Sequence, residues 1–224
     1  MKKALCTILP VLAIAVVCAM VSGVASAQAF DSFSTNYFAN NTTTGAPAAT
    51  LRITNRGGQA HTDPTTGLIA GGDLCALIYV YDASQELVSC CGCRVTPNGL
   101  QTINLKTELL AHAAFGTPND GSVQVVSANT NGSSPIVGDH NDAACDPTGT
   151  SSPRSSVIPE LGVWLTHIQN KVGAAFPETE TMSEEEELSA AEEGAFAADC
   201  AFLIHLASQY RTNIGACDCG VFEN

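Results

Sequence analysis

Leu74-Cys75-Ala76-Leu77-Ile78-Tyr79-Val80-Tyr81 is the stretch on which the fold turns. None of these residues is charged, and the two alternating sets of positions are equally apolar. A strand of that kind is covered on both faces, which places it in the middle of a sheet rather than at its edge. Asp82 to Gln85 has the composition of a turn, so Glu86 to Cys91 reads as the returning strand of a hairpin.

Outward from the hairpin the pattern repeats. Thr50 to Asn55 alternates, with Leu51 and Ile53 on one side and Arg52 and Thr54 on the other. A turn at Pro97-Asn98-Gly99 leads into Leu100 to Leu105, which alternates again, and a further strand runs from Ser122 to Asn129. Leu161 to Ile168, with the single tryptophan, is the last strand candidate, although the same run suits the start of a helix. Residues 28–49 are polar apart from Phe30, Phe33, Tyr37 and Phe38, and read as one edge strand or an unstructured leader. Arg56 to Gly72 and Asn129 to Pro159 read as loops. Six or seven short strands with no helix between them point to a mainly β fold, an antiparallel β-sandwich over residues 28–177. The Cys-Trp-Cys spacing of antibody domains is absent, so "immunoglobulin-like" applies only as architecture.

The C-terminal segment, 178–224, changes character. Ser183-Glu184-Glu185-Glu186 matches a capping box and predicts a helix from about 183 to 209. Phe196, Cys200, Leu203, Ala207 and Tyr210 recur every three or four residues and lay one apolar stripe along it. The far end is tied by cysteine.

The N-terminus reads as a signal for export. Lys2 and Lys3 precede an uncharged run from Ala4 to Val24, and Ala25-Ser26-Ala27 fits signal peptidase, with the cut before Gln28. A membrane anchor is the competing reading, but Pro10 interrupts the run and no basic residue follows until Arg52. The expected location is therefore the extracellular space, the periplasm or the cell envelope, with no membrane insertion after cleavage. The Lys-Lys pair looks bacterial. N-x-Ser/Thr triplets at Asn40, Asn41 and Asn131 would carry glycans only in a eukaryotic pathway.

The formal charge is −13, and eight of the twelve glutamates lie between Glu178 and Glu193. Such a balance disfavours nucleic acid and anionic membrane surfaces and leaves divalent cations or basic partners open, a protein or envelope component being one candidate.

Without Cys6 and Cys18, the cysteines are Cys75, Cys90, Cys91, Cys93, Cys145, Cys200, Cys217 and Cys219. An even count in an exported chain reads first as disulfides. The hairpin turn sets Cys75 across from Gly92, so Cys75 is expected to bond one of Cys90, Cys91 and Cys93. The rest of that cluster is then expected to reach Cys217 or Cys219, which leaves Cys145 for Cys200. The alternative is a metal site, with Cys90-Cys91-Gly92-Cys93 and Cys217-Asp218-Cys219 presenting four thiolates. Zinc knuckles usually space their cysteines two to four apart, which fits these clusters less well.

Other groups carry weaker signals. His61 with Asp63, and Asp139-His140-Asn141-Asp142, are loop residues that suit a cation, but solvated turns have the same composition. The Glu184–Glu187 run suits a helix start better than a cation site. His205, among Leu203, Ile204 and Leu206, reads as packed within the helix. The nucleophile-elbow, zinc-protease, phosphate-loop and Ser-x-x-Lys motifs are absent, so no catalytic residue and no cofactor is expected. A hydrolase built on carboxylates leaves no short motif and stays as an alternative.

The run Cys75 to Asp82, then Cys90-Cys91-Gly92-Cys93-Arg94-Val95-Thr96-Pro97 and Cys217-Asp218-Cys219-Gly220, resembles uncharacterised exported proteins of soil bacteria. The resemblance spans about residues 50–220 and is specific only at the cysteines. It implies export and disulfides and carries no activity. The expected role is a non-enzymatic structural or binding module, with a metal-binding protein as the other reading beside the hydrolase.

Overall fold

The computed structural model describes residues 33–58, 61–62, 69–70, 72–130, 145–148, 161–182, 184–186, 188–210 and 214–219. The expected signal segment, 1–27, lies outside the described residues.

The strands in chain order are β1 (Phe33–Phe38), β2 (Thr50–Asn55), β3 (His61–Thr62), β4 (Ile69–Ala70), β5 (Leu74–Asp82), β6 (Leu87–Val95) and β7 (Leu100–Asn104). They continue as β8 (Gly121–Asn129), β9 (Leu161–Ile168), β10 (Glu178–Met182) and β11 (Glu184–Glu186), ahead of one α-helix, α1 (Ala190–Tyr210). A wide helical turn, Leu105–Leu109, follows β7, and the Asn104 side chain accepts from the backbone N–H groups of Lys106 and Thr107 at its start. Two antiparallel sheets form the sandwich, one ordered β11-β1-β8-β5-β6 and the other β10-β9-β2-β7. Among the described residues no helix is long and apolar enough to cross a membrane.

The double-sided burial of β5 has a direct cause. Leu74, Ala76, Ile78 and Val80 face the interior of the sandwich, where they meet Leu51, Ile53, Ile103, Val163 and Leu165 of the other sheet. Cys75, Leu77, Tyr79 and Tyr81 face the other way, into a second apolar layer closed by α1 with Cys200 and Leu203. The molecule is thus sheet on sheet on helix, and β5 lies under both covers. The apolar stripe on α1 does this covering: Cys200, Leu203 and Ala207 are buried, and Phe196 stacks on Phe33 and Tyr79 at 5.5 and 5.2 Å.

Three expectations are corrected here. The helix begins at Ala190, not 183. Its capping box is Ser189-Ala190-Ala191-Glu192: the Glu192 carboxylate accepts from the Ser189 backbone N–H at 3.0 Å, and the Ser189 hydroxyl accepts from the Glu192 N–H at 3.3 Å. Glu184, Glu185 and Glu186 instead form a strand opposite Phe33, Ser34 and Thr35. That pairing also makes β1 an interior strand rather than an edge. The new edge is three glutamates, whose charge discourages pairing with another chain. Third, His205 is exposed, and its ring bonds the Gln209 amide at 2.9 Å.

The hairpin register is corrected as well. Cys75 stands opposite Arg94, not Gly92. Gln85 sits in the left-handed region at φ 64°, so it lengthens the loop, and the Gln85 N–H bonds the Asp82 carbonyl at 3.0 Å. The register slips once more between Val80 and Tyr81. Each irregularity adds one residue to the β6 side, a two-residue displacement in all.

Candidate functional site

Cysteine organises one side of the molecule. All eight cysteines singled out from the sequence are paired: Cys75–Cys145, Cys90–Cys200, Cys91–Cys217 and Cys93–Cys219. The cluster does reach Cys217 and Cys219. The expectation that Cys75 bonds the cluster is overturned, and so is Cys145–Cys200. Cys75 faces the helix layer, as Cys90 does, while Cys91 and Cys93 face the interior of the sandwich. With Cys75 opposite Arg94, Cys90 is four residues further along, out of bridging reach. Cys75 therefore bonds Cys145, from the segment laid over the sheet, and Cys90 bonds the helix.

Adjacent residues on a strand point to opposite faces, which is how Cys90 and Cys91 serve two layers. Gly92 follows from the same geometry. A Cβ there would overlap the backbone carbonyl of Cys145, so only glycine lets that segment cross. Tyr79 fixes it further by donating its hydroxyl to the Pro147 carbonyl at 3.0 Å.

Ile214 to Cys219 runs along the outer edge of β6. Cys90 donates its N–H to Gly215 and accepts from Cys217, an isolated parallel bridge in which Cys90 faces Ala216. Cys91–Cys217 and Cys93–Cys219 keep the same offset, 126 residues each, and are two rungs of one ladder. The segment also reaches the other sheet, where Gln101 of β7 donates its side-chain amide to the Cys219 carbonyl, and Asp218 donates to the Glu108 carbonyl. It thus closes the side of the sandwich between β6 and β7. Since Cys90–Cys200 already joins β6 to α1, Cys91–Cys217 closes a loop of only about 18 further residues, which the chain-entropy treatment values at about 3 kcal/mol. The second rung closes only a few further residues and adds about 2 kcal/mol.

A second site lies beside the N-terminal half of α1. A groove of about 650 Å3 separates Ala195, Phe196 and Asp199 from the outer face of the five-stranded sheet. That volume suits a small ligand or a few peptide side chains. Thr35, Tyr37, Ser122 and Gln124 form its floor, and Tyr81, Asp82, Gln85 and Asp120 its far side. Among the described residues, three carboxylates and four aromatic rings line it, with no Lys, Arg or His. Tyr37 is 57% exposed, unusual for an aromatic on a sheet face.

The carboxylates differ in their duties. Asp82 accepts from the N–H groups of Ser84 and Glu86 at 2.8 and 2.9 Å and holds the hairpin loop. Asp120 accepts from the Asn40 N–H at 3.3 Å and from the Asn119 amide at 3.0 Å. Asp199 faces the groove from the helix, close enough to Tyr81 to act on it. Burial, and then the Asp199 charge, push the Tyr81 phenol well above its ordinary value, so it stays a neutral donor. The side-chain oxygen of Gln124 is buried, and among the described residues nothing donates to it.

The remaining sequence candidates do not gather. His61 stands in β3, whereas Asp63 and Asp139 to Asp142 lie outside the described residues. Asn40 and Asn41 donate their side-chain amides to backbone carbonyls of Ile168, Gln169 and Pro118. Nor does any sequence signal point to the groove, because its lining comes from four separated stretches. The exposed Tyr37 in an otherwise polar run is the one available hint.

No protein-family model, curated protein or solved structure matches this chain.

Proposed function

We propose that the protein is an exported, non-enzymatic binding module whose groove beside α1 takes a cationic side chain, a lysine or arginine, from a partner protein. The observation that carries this reading is the lining: Asp82, Asp120 and Asp199 with Tyr37, Tyr81 and Phe196, and no basic residue among the described residues that line it. Carboxylates and aromatic faces together favour ammonium and guanidinium groups, since the ring quadrupole and the full charges attract the same ligand. The chain's formal charge of −13 draws basic partners from a distance.

The same lining weighs against hydrolysis. Carboxylate hydrolases need a facing pair, one acid and one base or nucleophile. Here Asp82 accepts from backbone N–H groups of its own loop and Asp120 from the Asn40 N–H and the Asn119 side-chain amide, which leaves Asp199 to act alone. Four disulfides suit an oxidising compartment, in keeping with export and an envelope or extracellular partner.

The test is a titration of the oxidised protein with short Lys- and Arg-rich peptides, followed by tyrosine fluorescence. Saturable binding that weakens with salt and falls at least tenfold in Asp199→Asn and Tyr37→Ala supports the reading. Equal binding by these variants, or none by the wild type, overturns it.

A further inference from the structure

The two-rung ladder at the β6 edge holds more sulfur than a clamp requires. Once Cys91–Cys217 has closed, Cys93–Cys219 constrains little additional chain. Yet three of the four sulfurs, those of Cys91, Cys93 and Cys219, lie buried within 4.8 Å of one another, and the fourth, that of Cys217, is next to them through its bond to Cys91. The sulfurs of Cys91 and Cys93 are 3.9 Å apart. Tetrahedral zinc with Zn–S bonds of about 2.3 Å needs sulfurs about 3.8 Å apart.

We propose that Cys91, Cys93, Cys217 and Cys219 form a redox-gated tetrathiolate site, which exchanges its two disulfides for one soft divalent ion of the zinc class. The Cys-x-Cys spacing fits a knuckle poorly on a tight turn, but positions i and i+2 of an extended chain point the same way. Each chain therefore presents two sulfurs to its neighbour, and two such chains side by side supply four. A dithiol reductant gives two electrons and two protons to each disulfide and leaves as its own cyclic disulfide. The four thiols then release four protons as the ion binds, which leaves a complex of charge −2.

Opening the bonds requires Ile214–Cys219 to step back from β6 by about 2 Å, the difference between a bonded and a co-ligating sulfur pair. Backbone bonds with Cys90, His112 and Glu108, and the Gln101 side-chain amide on the Cys219 carbonyl, resist that step. Thiolates select zinc-class ions over calcium or magnesium. The inference is independent of the groove.

The experiment uses the full chain, reduced anaerobically with excess dithiol, and cobalt(II) as the probe. The expected result is one equivalent of cobalt bound, with sulfur-to-cobalt charge-transfer absorption and the intense d–d bands of a tetrahedral tetrathiolate. One equivalent of zinc then bleaches them, and the oxidised chain shows none. Cys93→Ser/Cys219→Ser should lose these bands and bind at least a hundredfold more weakly, while Cys75→Ser/Cys145→Ser keeps them. Reduced wild type without thiolate bands overturns the proposal. So does a Cys93→Ser/Cys219→Ser variant that binds cobalt as the wild type does, since that would show uptake by cysteines at large.

Discussion

The backbone carbonyl of Cys145 lies where the side chain of residue 92 would be, so Gly92 and Cys145 define a crossing that admits no Cβ. Two covalent constraints, Cys75–Cys145 and the Cys91–Cys217 and Cys93–Cys219 ladder, converge on that spot from opposite faces of β6. Gly92→Ala must move one backbone or the other, and overpacking of this kind costs about 1–3 kcal/mol. Gly194 is the natural contrast, since it is exposed on α1 with nothing near its missing Cβ. Gly194→Ala should stabilise by up to about 1 kcal/mol. Urea denaturation of both variants, read as shifts of opposite sign in midpoint, checks the pair.

Removal of the outer rung alone should be mild. Cys93→Ala/Cys219→Ala is expected to lose about 2 kcal/mol, because Cys91–Cys217 still holds the C-terminal segment to β6. Loss of both rungs should cost about 5 kcal/mol, within reach of a small domain's whole stability. Thermal unfolding of the two variants against wild type measures the difference, and equal losses would show that the rungs are not redundant.

Helix capping belongs to Ser189. Its alanine variant should lose about 1 kcal/mol and some helical circular dichroism, whereas Ser183→Ala should leave the helix unchanged. Glu192 adds a pH dependence. The Ser189 hydroxyl and backbone N–H hold its carboxyl below the ordinary carboxylate value. Its contribution is therefore present above the unfolded-state pKa and fades as pH falls through the lower folded one. An acid titration of helicity should show that fading in wild type and not in Glu192→Gln.

Tyr81 gives the opposite sign. Its phenol is raised by burial and by Asp199, so its contribution is complete below the unfolded-state value of about 10 and is lost as pH climbs above it. Asp199→Asn should bring the Tyr81 titration part of the way back down. Phenolate absorbance, assigned with Tyr81→Phe, follows this directly.

The strands were legible where burial is periodic. Thr50–Asn55 and Leu161–Ile168 show in the sequence because one face or both meet the core, and β5 announces its two covers by having no polar face. β10 and β11 were not legible, because Glu and Thr at a sheet's rim look like any solvated segment. The second Ser-x-x-Glu at Ser189 competed with the first at Ser183, and the outcome depended on the pairing of Glu184–Glu186 with β1, a contact from the far end of the chain. The cysteine map failed at Cys75 for a local reason, the left-handed Gln85 and the slip after Val80, neither of which leaves a glycine to mark it. The groove was invisible since Tyr37, Tyr81, Asp120 and Asp199 are brought together only by the packing of α1 across the sheet.

The most direct measurement is a two-dimensional NMR titration of the oxidised, isotope-labelled chain with an arginine-rich peptide. A cationic-side-chain site predicts saturable shifts concentrated at Tyr37, Tyr81, Gln124, Phe196 and Asp199, diminished by salt and lost in Asp199→Asn. Shifts spread along the Glu184–Glu186 edge with no saturation, or none at all in the groove, would contradict it.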